Sequence, residues 1–273
     1  MLETSREAWN ERSKTWAAKT APGRSEDDAF DRMIIAAAAI RPGESVLDTA
    51  SGTGNPAVAI ALAMEGRGRV VASDFTPRML EAARGRAETL SLSIMAFVGC
   101  DMTALPFPAG AFDCVTCRFG LMSVEDKGAA AAEALRVLRP GGRAAYAVWG
   151  PYEENPPFHV PRRAVARFFG EAEGPPPARH AMGAPGTLEA ILDGAGFVDV
   201  EERELRYRNR VADPADYVAR RLRRSFPGKV EGLAEGRLVA LAAAVLDAWA
   251  PFMEDGVLYV PNYARLGLGW KPR

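Results

Sequence analysis

The chain has 273 residues, of which 48% are hydrophobic and 25% are charged, and its formal net charge is −1. This composition is typical of an ordinary globular protein with a sizeable core, and it excludes the strongly basic surface that attracts nucleic acids or anionic membranes. The longest apolar runs are too short to cross a bilayer, and the first ten residues lack the apolar core of an export signal. Because there are also only three cysteines, we expect a cytoplasmic protein without a nucleic-acid partner or a membrane span.

The segment before the predicted sheet has the pattern of two amphipathic helices over residues 3–40, which predicts an N-terminal helical cap over residues 1–44. From residue 45 to residue 150, short apolar runs alternate with helix-like runs. The predicted strands are Ser45–Thr49, Arg69–Asp74, Ile94–Gly99, Phe112–Cys117 and Arg143–Trp149. The predicted helices are Pro56–Glu65, Pro77–Leu90 and Asp126–Leu138. Asn55 and Thr76 are predicted N-caps, since each precedes a proline. The alternation predicts a mostly parallel sheet with helices on both faces.

Proline and glycine then punctuate the chain. "RPGG" at Arg139–Gly142 is expected to end a helix and turn into the next strand. Residues 151–186 are rich in proline and glycine around a short helix-like run, Arg162–Phe169, and are predicted to form a lid or substrate loop. A further strand is expected at Val198–Tyr207. The remaining predicted segments are a continuation of the core in residues 187–210, a helical cap in residues 211–255 and a last core strand in residues 256–273.

The most informative stretch is "VLDTASGTGNPAVAIA", in which Gly52-x-Gly54-x-x-Ala57 matches the dinucleotide fingerprint. Asp48 ends the first predicted strand just before this loop. A carboxylate there would repel the pyrophosphate of a dinucleotide but would attract a ligand that carries an ammonium group. A nicotinamide cofactor and a sulfonium cofactor therefore both stay open at this point, and the carboxylate favours the second.

Two more acids end neighbouring predicted strands. Asp74 follows the second strand, where it can accept hydrogen bonds from both hydroxyls of a ribose in either ligand. Asp101 follows the third strand, where it can accept a hydrogen bond from an adenine amino group or simply shape a turn. Open α/β sheets bind ligands at the carboxyl ends of their strands. Three acids at three such ends therefore indicate a ligand site at this edge.

In four stretches the sequence resembles the class I S-adenosylmethionine-dependent methyltransferases, and it is most similar to their ubiquinone/menaquinone-biosynthesis branch. The stretches are "VLDTASGTG", "VVASDFTPRML", "DMTALPFPAGAFDCVTCRFGLM" and "EALRVLRPGGRAAYAVWG". The resemblance implies a Rossmann-like α/β fold: a doubly wound, mostly parallel seven-stranded sheet with an antiparallel last strand, plus helical cap elements. It implies transfer of the methyl group of S-adenosylmethionine to a small or medium organic acceptor at oxygen, carbon or nitrogen. The first loop glycine that is common in the family is Ala50 here.

The resemblance also implies roles for individual residues. Asp48 and the loop Ala50–Gly54 would surround the methionine part of the cofactor, and Asp74 would hold the ribose. Phe75 and Met79 would flank the adenosine, while Asp101 and Met102 would contact the adenine. The complete predicted cofactor set is Asp48, Ala50, Ser51, Gly52, Gly54, Asn55, Asp74, Phe75, Met79, Cys100, Asp101, Met102 and Arg118.

The sequence contains less information about the site of the methyl acceptor than about that of the cofactor. His159 is the predicted general base, because it follows the fifth predicted strand closely, although a histidine in such a loop can equally serve packing. The other predicted acceptor-site residues are Trp16, Phe119, Met122, Trp149, Phe158 and His180. Cys114 and Cys117 lie in a predicted strand without a second cysteine pair, so we expect core packing and no metal site.

Two alternative functions stay open at the level of sequence. One is an NAD(P)-dependent oxidoreductase, which the glycine pattern alone would allow. The other is a methyltransferase-like protein that binds the cofactor without catalysis. The sequence specifies neither the acceptor molecule nor the oligomeric state.

Overall fold

The computed structural model describes residues 9, 11 and 13, which are helical, and residues 28–273. The strands are β1 Ser45–Thr49, β2 Arg69–Asp74, β3 Met95–Gly99, β4 Phe112–Arg118, β5 Leu138–Trp149, β6 Val198–Val211, β7 Met253–Glu254 and β8 Val257–Trp270. The helices are α1 Ala29–Ala37, α2 Ala57–Ala63, α3 Pro77–Thr89, α4 Lys127–Val137, α5 Pro156–Phe169, α6 Thr187–Ala195, α7 Pro214–Ser225, α8 Pro227–Val230 and α9 Glu235–Asp247. Short 3₁₀ turns lie at Leu121–Ser123, Tyr152–Glu154, Ala178–His180 and Ala250–Phe252.

The strands form one sheet in the order β3-β2-β1-β4-β5-β8-β6, and the two-residue strand β7 pairs with β8. Neighbours from β3 to β5 run parallel, whereas β8 pairs antiparallel with β5. The doubly wound, mostly parallel α/β fold with an antiparallel last strand is therefore confirmed. The strand order reverses between β1 and β4. In open α/β sheets the crevice at such a reversal binds ligands at the carboxyl ends of the strands.

The β1 and β2 boundaries coincide with the predicted ones, but β5 differs. The predicted turn at Arg139–Gly142 lies inside β5, because the β4–β5 register passes from Phe112 opposite Leu138 to Cys114 opposite Arg143. The four residues from 139 to 142 are thus an extended bulge. Gly142 is required there, since a Cβ at this position would lie 2.9 Å from the Arg139 carbonyl oxygen and 3.0 Å from the Asp113 carbonyl oxygen.

The described chain forms two compact units. Unit 1 comprises the described residues up to Trp149, together with Ala181–Leu205 and Ala264–Arg273, and it contains the parallel part of the sheet. Its strand β4 is buried from Phe112 to Cys117, as expected for a central parallel strand that helices cover on both faces. Alanines of α4 allow close packing against the sheet; they are Ala130, Ala131 and Ala134, all at most 1% exposed.

Unit 2 comprises Gly150–His180 and Arg206–Tyr263. Its core is formed by apolar residues of α5, α7, α9 and the first half of β8, among them Val160, Leu222 and Leu241, and by Trp249, which follows α9. The sequence predicted a helix only from Arg162, whereas α5 begins at Pro156. The prolines at 156 and 157 occupy the first turn, where their missing N–H groups cost nothing. Among the described residues, no helix combines the length and the apolar character that crossing a membrane requires.

Candidate functional site

The loop after β1 is held against the end of β2 by hydrogen bonds. The Ser51 hydroxyl donates to the Asp48 carbonyl oxygen at 2.7 Å, and the Ser51 amide donates to the Ser73 carbonyl oxygen at 2.9 Å. Three loop residues have left-handed backbone conformations: Ala50 at φ +50°, Gly52 at +53° and Gly54 at +98°. No atom of the described residues lies within 4 Å of the place where a Gly52 Cβ would point. In this part of the chain, the loop therefore leaves space beside its backbone at Gly52.

Asp48 has no solvent exposure and is the second-last residue of β1, just before this loop. Its Oδ1 accepts a hydrogen bond from the Thr116 hydroxyl at 2.7 Å, whereas Oδ2 has no hydrogen-bond partner among the described residues. Burial raises the pKa of Asp48 to about 7 despite the Thr116 hydrogen bond. A buried carboxylate without a cationic partner is unfavourable. The carboxyl group thus lacks the positive charge that would keep it ionised.

Asp74 at the end of β2 is also buried but fully engaged. Its Oδ2 accepts from the Gly52 amide at 2.9 Å, and its Oδ1 accepts from the Thr76 amide at 2.8 Å. Burial raises the pKa of Asp74, against the effect of these two hydrogen bonds. Each carboxylate oxygen retains a further lone pair. Asp74 therefore fixes the loop and keeps acceptor capacity for a ribose, and that role stays a prediction.

The third acid differs from the other two. Asp101 is exposed, and its Oδ1 accepts from both the amide and the hydroxyl of Thr103, at 2.9 and 2.8 Å. It shapes a turn, as the structural alternative predicted, and a contact with adenine stays a prediction. Met102 is 7% exposed and packs in the core, while the Cys100 amide donates to the Asp74 carbonyl oxygen. Of the pair that would flank the adenosine, Phe75 is partly exposed and Met79 is buried.

A buried polar network joins α1 to the loop, and sequence reasoning missed most of it. Asp31 has no exposure; it pairs with Arg118 and accepts a hydrogen bond from the Asn55 amide group. Burial raises the pKa of Asp31, although Arg118 opposes this effect. Asn55 in turn accepts from Arg86 at 2.8 Å, and Arg86 donates to the Thr53 carbonyl oxygen at 2.6 Å.

This network corrects one prediction. Asn55 is not the N-cap of α2, because the helix begins at Ala57 with Pro56 in the cap position, and the Asn55 side chain serves the network instead. Thr76 does precede α3, with Pro77 at the first helical position as predicted. The predicted cofactor residue Arg118 also pairs with Asp28, so it has two carboxylate partners in the protein. Its contact with a cofactor stays a prediction.

Three of the predicted acceptor residues come together in unit 1. The rings of Phe119 and Trp149 stack at 4.1 Å with an interplanar angle of 6°. Phe30 of α1 packs edge-on against both, at 5.4 and 5.5 Å. The Met122 sulfur accepts a hydrogen bond from the Trp149 amide at 3.3 Å. Phe119 has φ +60°, an uncommon conformation for a bulky residue that often marks a functional site. Trp16 lies outside the described residues.

The other three, Phe158, His159 and His180, come together in unit 2. The Tyr152 ring lies 5.9 Å from the His159 ring and 5.3 Å from the His180 ring, and Phe158 lies 4.7 Å from His180. His159 Nδ1 lies 3.4 Å from a nitrogen of Arg163. Burial and the charge of Arg163 lower the pKa of His159. Its role as a general base stays a prediction.

A hydrogen bond fixes the orientation of the His180 ring. It is 7% exposed, and its Nδ1 lies 2.9 Å from the Gly150 carbonyl oxygen. Because a carbonyl oxygen only accepts, Nδ1 carries the proton and the neutral ring has its lone pair on Nε2. Nε2 has no hydrogen-bond partner among the described residues, and burial lowers the pKa of the ring.

The cysteines of β4 pack in the interior. Cys114 and Cys117 are free thiols with no exposure, and burial raises the pKa of each to about 12. A thiol with so high a pKa is inert at neutral pH. In the part of the chain that the structure describes, no group of three His, Cys, Asp or Glu side chains could hold a metal ion.

Comparison with known proteins relates this site to a family. The model of the ubiE/COQ5 methyltransferase family matches residues 26–150. The ubiquinone/menaquinone biosynthesis C-methyltransferase UbiE of Xanthomonas campestris is 43% identical over 117 residues, which are 42% of this chain and 46% of that protein. The demethylmenaquinone methyltransferase of Thermus thermophilus is 35% identical over 186 residues, which are 63% of this chain and 82% of that protein. The chain belongs to the ubiE/COQ5 methyltransferase family.

The fold agrees with this membership. The structure of Haemonchus contortus phosphoethanolamine N-methyltransferase 2, in complex with phosphomonomethylethanolamine and S-adenosylhomocysteine, aligns with a TM-score of 0.61. The alignment covers 98% of this chain and 60% of that one at 16% identity, so it shows a shared fold. The family resemblance seen in the sequence is confirmed, and the findings give no support to the nicotinamide alternative.

The ubiE/COQ5 family match has two informative limits. It begins at residue 26 and so includes α1 with Asp28 and Asp31. The sequence analysis assigned both residues to the predicted N-terminal helical cap, outside the core. It ends at residue 150, where unit 2 begins, so His159 and His180 lie beyond it. The chain spans less than half of the UbiE protein that it matches.

Proposed function

We propose that this member of the ubiE/COQ5 family is an S-adenosylmethionine-dependent methyltransferase that acts on a small or medium organic acceptor. The observation that carries the proposal is the Asp48 carboxyl group, whose Oδ2 is buried and has no hydrogen-bond partner among the described residues, in the strand that leads into the Gly52 loop. An ammonium group would supply the missing positive charge there. The amino acid part of S-adenosylmethionine carries such a group, whereas a pyrophosphate would add a second negative charge.

Different residues of the chain are expected to bind different parts of this cofactor. Asp48 and the loop through Gly54 would hold the methionine part, and Asp74 would accept from the ribose hydroxyls. The remaining predicted contacts to the adenosine are Phe75, Met79, Asp101 and Met102. When bound, the cofactor supplies an electrophilic methyl group on its sulfonium, so the protein mainly has to orient the acceptor and exclude water.

The acceptor is proposed to be flat and largely apolar. The stacked rings of Phe119 and Trp149 offer an aromatic surface of the kind that packs well against another ring. The family relatives named above carry names that refer to quinone biosynthesis, which is consistent with a ring compound. The net charge of −1 supports a small molecule rather than a nucleic acid as partner. The predicted role of His159 as a general base applies if the accepting atom has to lose a proton.

Calorimetry of the purified chain tests the cofactor. S-adenosylmethionine and S-adenosylhomocysteine should bind, and NAD should not. Asp74→Ala should weaken the binding of both by about 1–3 kcal/mol, because buried ribose hydroxyls lose a charged acceptor. Glu88→Ala, at an exposed position of α3, is the matched control and should bind as the unchanged protein does.

Two results would contradict the proposal. Binding of NAD without binding of S-adenosylmethionine would assign the loop to a nicotinamide cofactor. Cofactor binding without turnover, when a broad panel of small acceptors is tested with methyl-labelled S-adenosylmethionine, would instead indicate a methyltransferase-like binding protein.

A further inference from the structure

Unit 2 contains a cationic group that the proposed methyl transfer does not use. Arg221 lies on α7, and its Nε is buried without a hydrogen-bond partner among the described residues. One terminal nitrogen of Arg221 donates to the Pro157 carbonyl oxygen in α5. That carbonyl is available because the residue four positions later is Pro161, which has no N–H group to continue the helix. The first turn of α5 therefore holds one end of the guanidinium, while its Nε–H has no acceptor among the described residues.

The charge of Arg221 is not balanced by an acid. Within the described residues, no carboxylate pairs with it, whereas several other arginines of unit 2 have such partners, for example Arg163 with Glu153 and Glu173. Burial lowers the pKa of Arg221 to about 10, and the positive charges of Arg224 and Arg179 act in the same direction. A buried cation without a counter-ion is unfavourable unless a ligand supplies the negative charge.

Phe158 connects Arg221 to two further polar groups. The guanidinium carbon of Arg221 lies 5.7 Å from the centre of the Phe158 ring, and that of the exposed Arg179 lies 5.5 Å from it. The His180 ring packs edge-on against the same ring at 4.7 Å. One aromatic ring thus has two cations and a neutral imidazole around it.

The imidazole supplies the opposite hydrogen-bonding character. His180 Nδ1 donates to the Gly150 carbonyl oxygen, so the buried Nε2 has a lone pair that no described group uses. The cluster therefore offers N–H donors with positive charge at Arg221 and an acceptor at His180, both in contact with the Phe158 ring. Its members are Tyr152, Phe158, Arg179, His180 and Arg221.

We propose that this cluster binds an aromatic hydroxy acid, with its anionic group on the guanidinium of Arg221 and its hydroxyl donating to Nε2 of His180. The rings of Phe158 and Tyr152 suit an aromatic frame between the two polar groups. A carboxylate satisfies the Nε–H of an arginine in a charge-assisted hydrogen bond. The proposal concerns the binding of this ligand to unit 2 and does not depend on the proposed function.

Calorimetric titration of the full chain without cofactor tests the proposal. The probes are 4-hydroxybenzoate, benzoate and 4-hydroxybenzamide. Benzoate lacks the hydroxyl but keeps the charge, whereas 4-hydroxybenzamide keeps the hydroxyl but lacks the charge. We expect 4-hydroxybenzoate to bind at least about tenfold more tightly than either of the others. Equal affinity for 4-hydroxybenzoate and its neutral amide would overturn the proposal. So would the absence of binding by either carboxylate at about 10 mM.

Variants then assign the two polar groups. Arg221→Gln should reduce the affinity for 4-hydroxybenzoate by about tenfold or more. The variant should then bind 4-hydroxybenzoate about as weakly as the unchanged chain binds 4-hydroxybenzamide. Arg223→Gln on the exposed side of the same helix is the control and should leave it unchanged. His180→Phe should bind 4-hydroxybenzoate and benzoate equally. Full retention of 4-hydroxybenzoate binding in Arg221→Gln would refute the assignment. If that variant does not fold, the three probes on the unchanged chain decide the question.

This experiment is independent of the cofactor experiment. S-adenosylmethionine binding depends on unit 1 residues such as Asp48 and Asp74, whereas the probe titration depends on unit 2 residues and contains no cofactor. Failure of the probes with normal cofactor binding would reject the anion site alone. Probe binding without cofactor binding would reject the proposed function alone.

Discussion

At the scale of single residues, three acids that look alike in the sequence have three different states. Asp48 is buried with one oxygen unpartnered, Asp74 is buried with both oxygens bonded to backbone amides, and Asp101 is exposed in a turn. The sequence placed each at a strand end, because an apolar run followed by a polar residue fixes that position. It could not give their partners, since Thr116 lies 68 residues from Asp48 along the chain.

Asp48→Asn should remove the loss of folding stability that Asp48 causes as the pH rises. The pKa of Asp48 is raised from 3.8 to about 7, so the folded state holds a proton that the unfolded state releases between these pH values. Asp48 therefore makes the protein less stable as pH rises through that window, by up to about 4 kcal/mol. Without cofactor, Asp48→Asn should be more stable than the unchanged protein at pH 8, with little difference at pH 4.

Urea denaturation at the two pH values measures this, with Asp101→Asn as the exposed control. A lower stability of Asp48→Asn than of the unchanged protein at pH 8 would show that the ionised carboxylate of Asp48 does not destabilise the unliganded protein. The same variant should bind S-adenosylmethionine more weakly at pH 8, because an amide cannot balance an ammonium charge.

Ala50 departs from the glycine common in the family, and Gly120 is what accommodates it. A Cβ on Gly120 would lie 2.4 Å from the Ala50 Cβ and 2.9 Å from the Cys117 sulfur. Gly120→Ala should therefore destabilise the protein by about 1–3 kcal/mol through overpacking. Ala50→Gly should stabilise it by about 1 kcal/mol, because glycine tolerates φ +50° without strain.

The double variant tests whether the two positions are coupled. Adding Ala50→Gly to Gly120→Ala should recover more stability than Ala50→Gly provides alone, by about 0.5 kcal/mol or more in a denaturation cycle. Strict additivity would mean that the Cys117 contact alone causes the damage.

At the scale of elements, α1 is joined to the cofactor loop by buried charges rather than by apolar packing alone. Asp31 connects Arg118 of β4 to Asn55 of the loop. Asp31→Ala should cost about 3–5 kcal/mol, because it leaves a buried arginine short of a partner. Asp28→Ala should cost only about 1–2 kcal/mol, since that side chain is 33% exposed and its loss removes a helix cap and a weaker pair. Chemical denaturation of both variants gives the comparison, and equal losses would contradict it.

The elements that sequence reasoning placed well are those with regular apolar patterns. β1 and β2 are buried parallel strands, whose short apolar runs between polar loops define their ends. The start of α5 was missed because Pro156, Pro157 and Pro161 suggest a loop. The first two lie in a helical first turn, and Arg221 uses the carbonyl that the third leaves free. That compensation comes from another helix and is invisible in the local sequence.

At the scale of the whole molecule, every described residue of the predicted cofactor set lies in unit 1, whereas the charged cluster around Phe158 lies in unit 2. S-adenosylmethionine at about 100 times its dissociation constant should stabilise the folded state by about 2.7 kcal/mol. Hydrogen exchange should slow in residues 48–57, 74–79 and 99–103, where backbone amides surround the predicted site. NAD at the same concentration is the control. Protection confined to residues 206–263 would place the cofactor elsewhere.

The end of the family match at residue 150 coincides with the point where the chain first enters unit 2. Substitutions in unit 2 can accumulate over generations without touching the residues that the family shares. The family match therefore describes the inherited part of the chain, residues 26–150, and carries no information about the residues of unit 2.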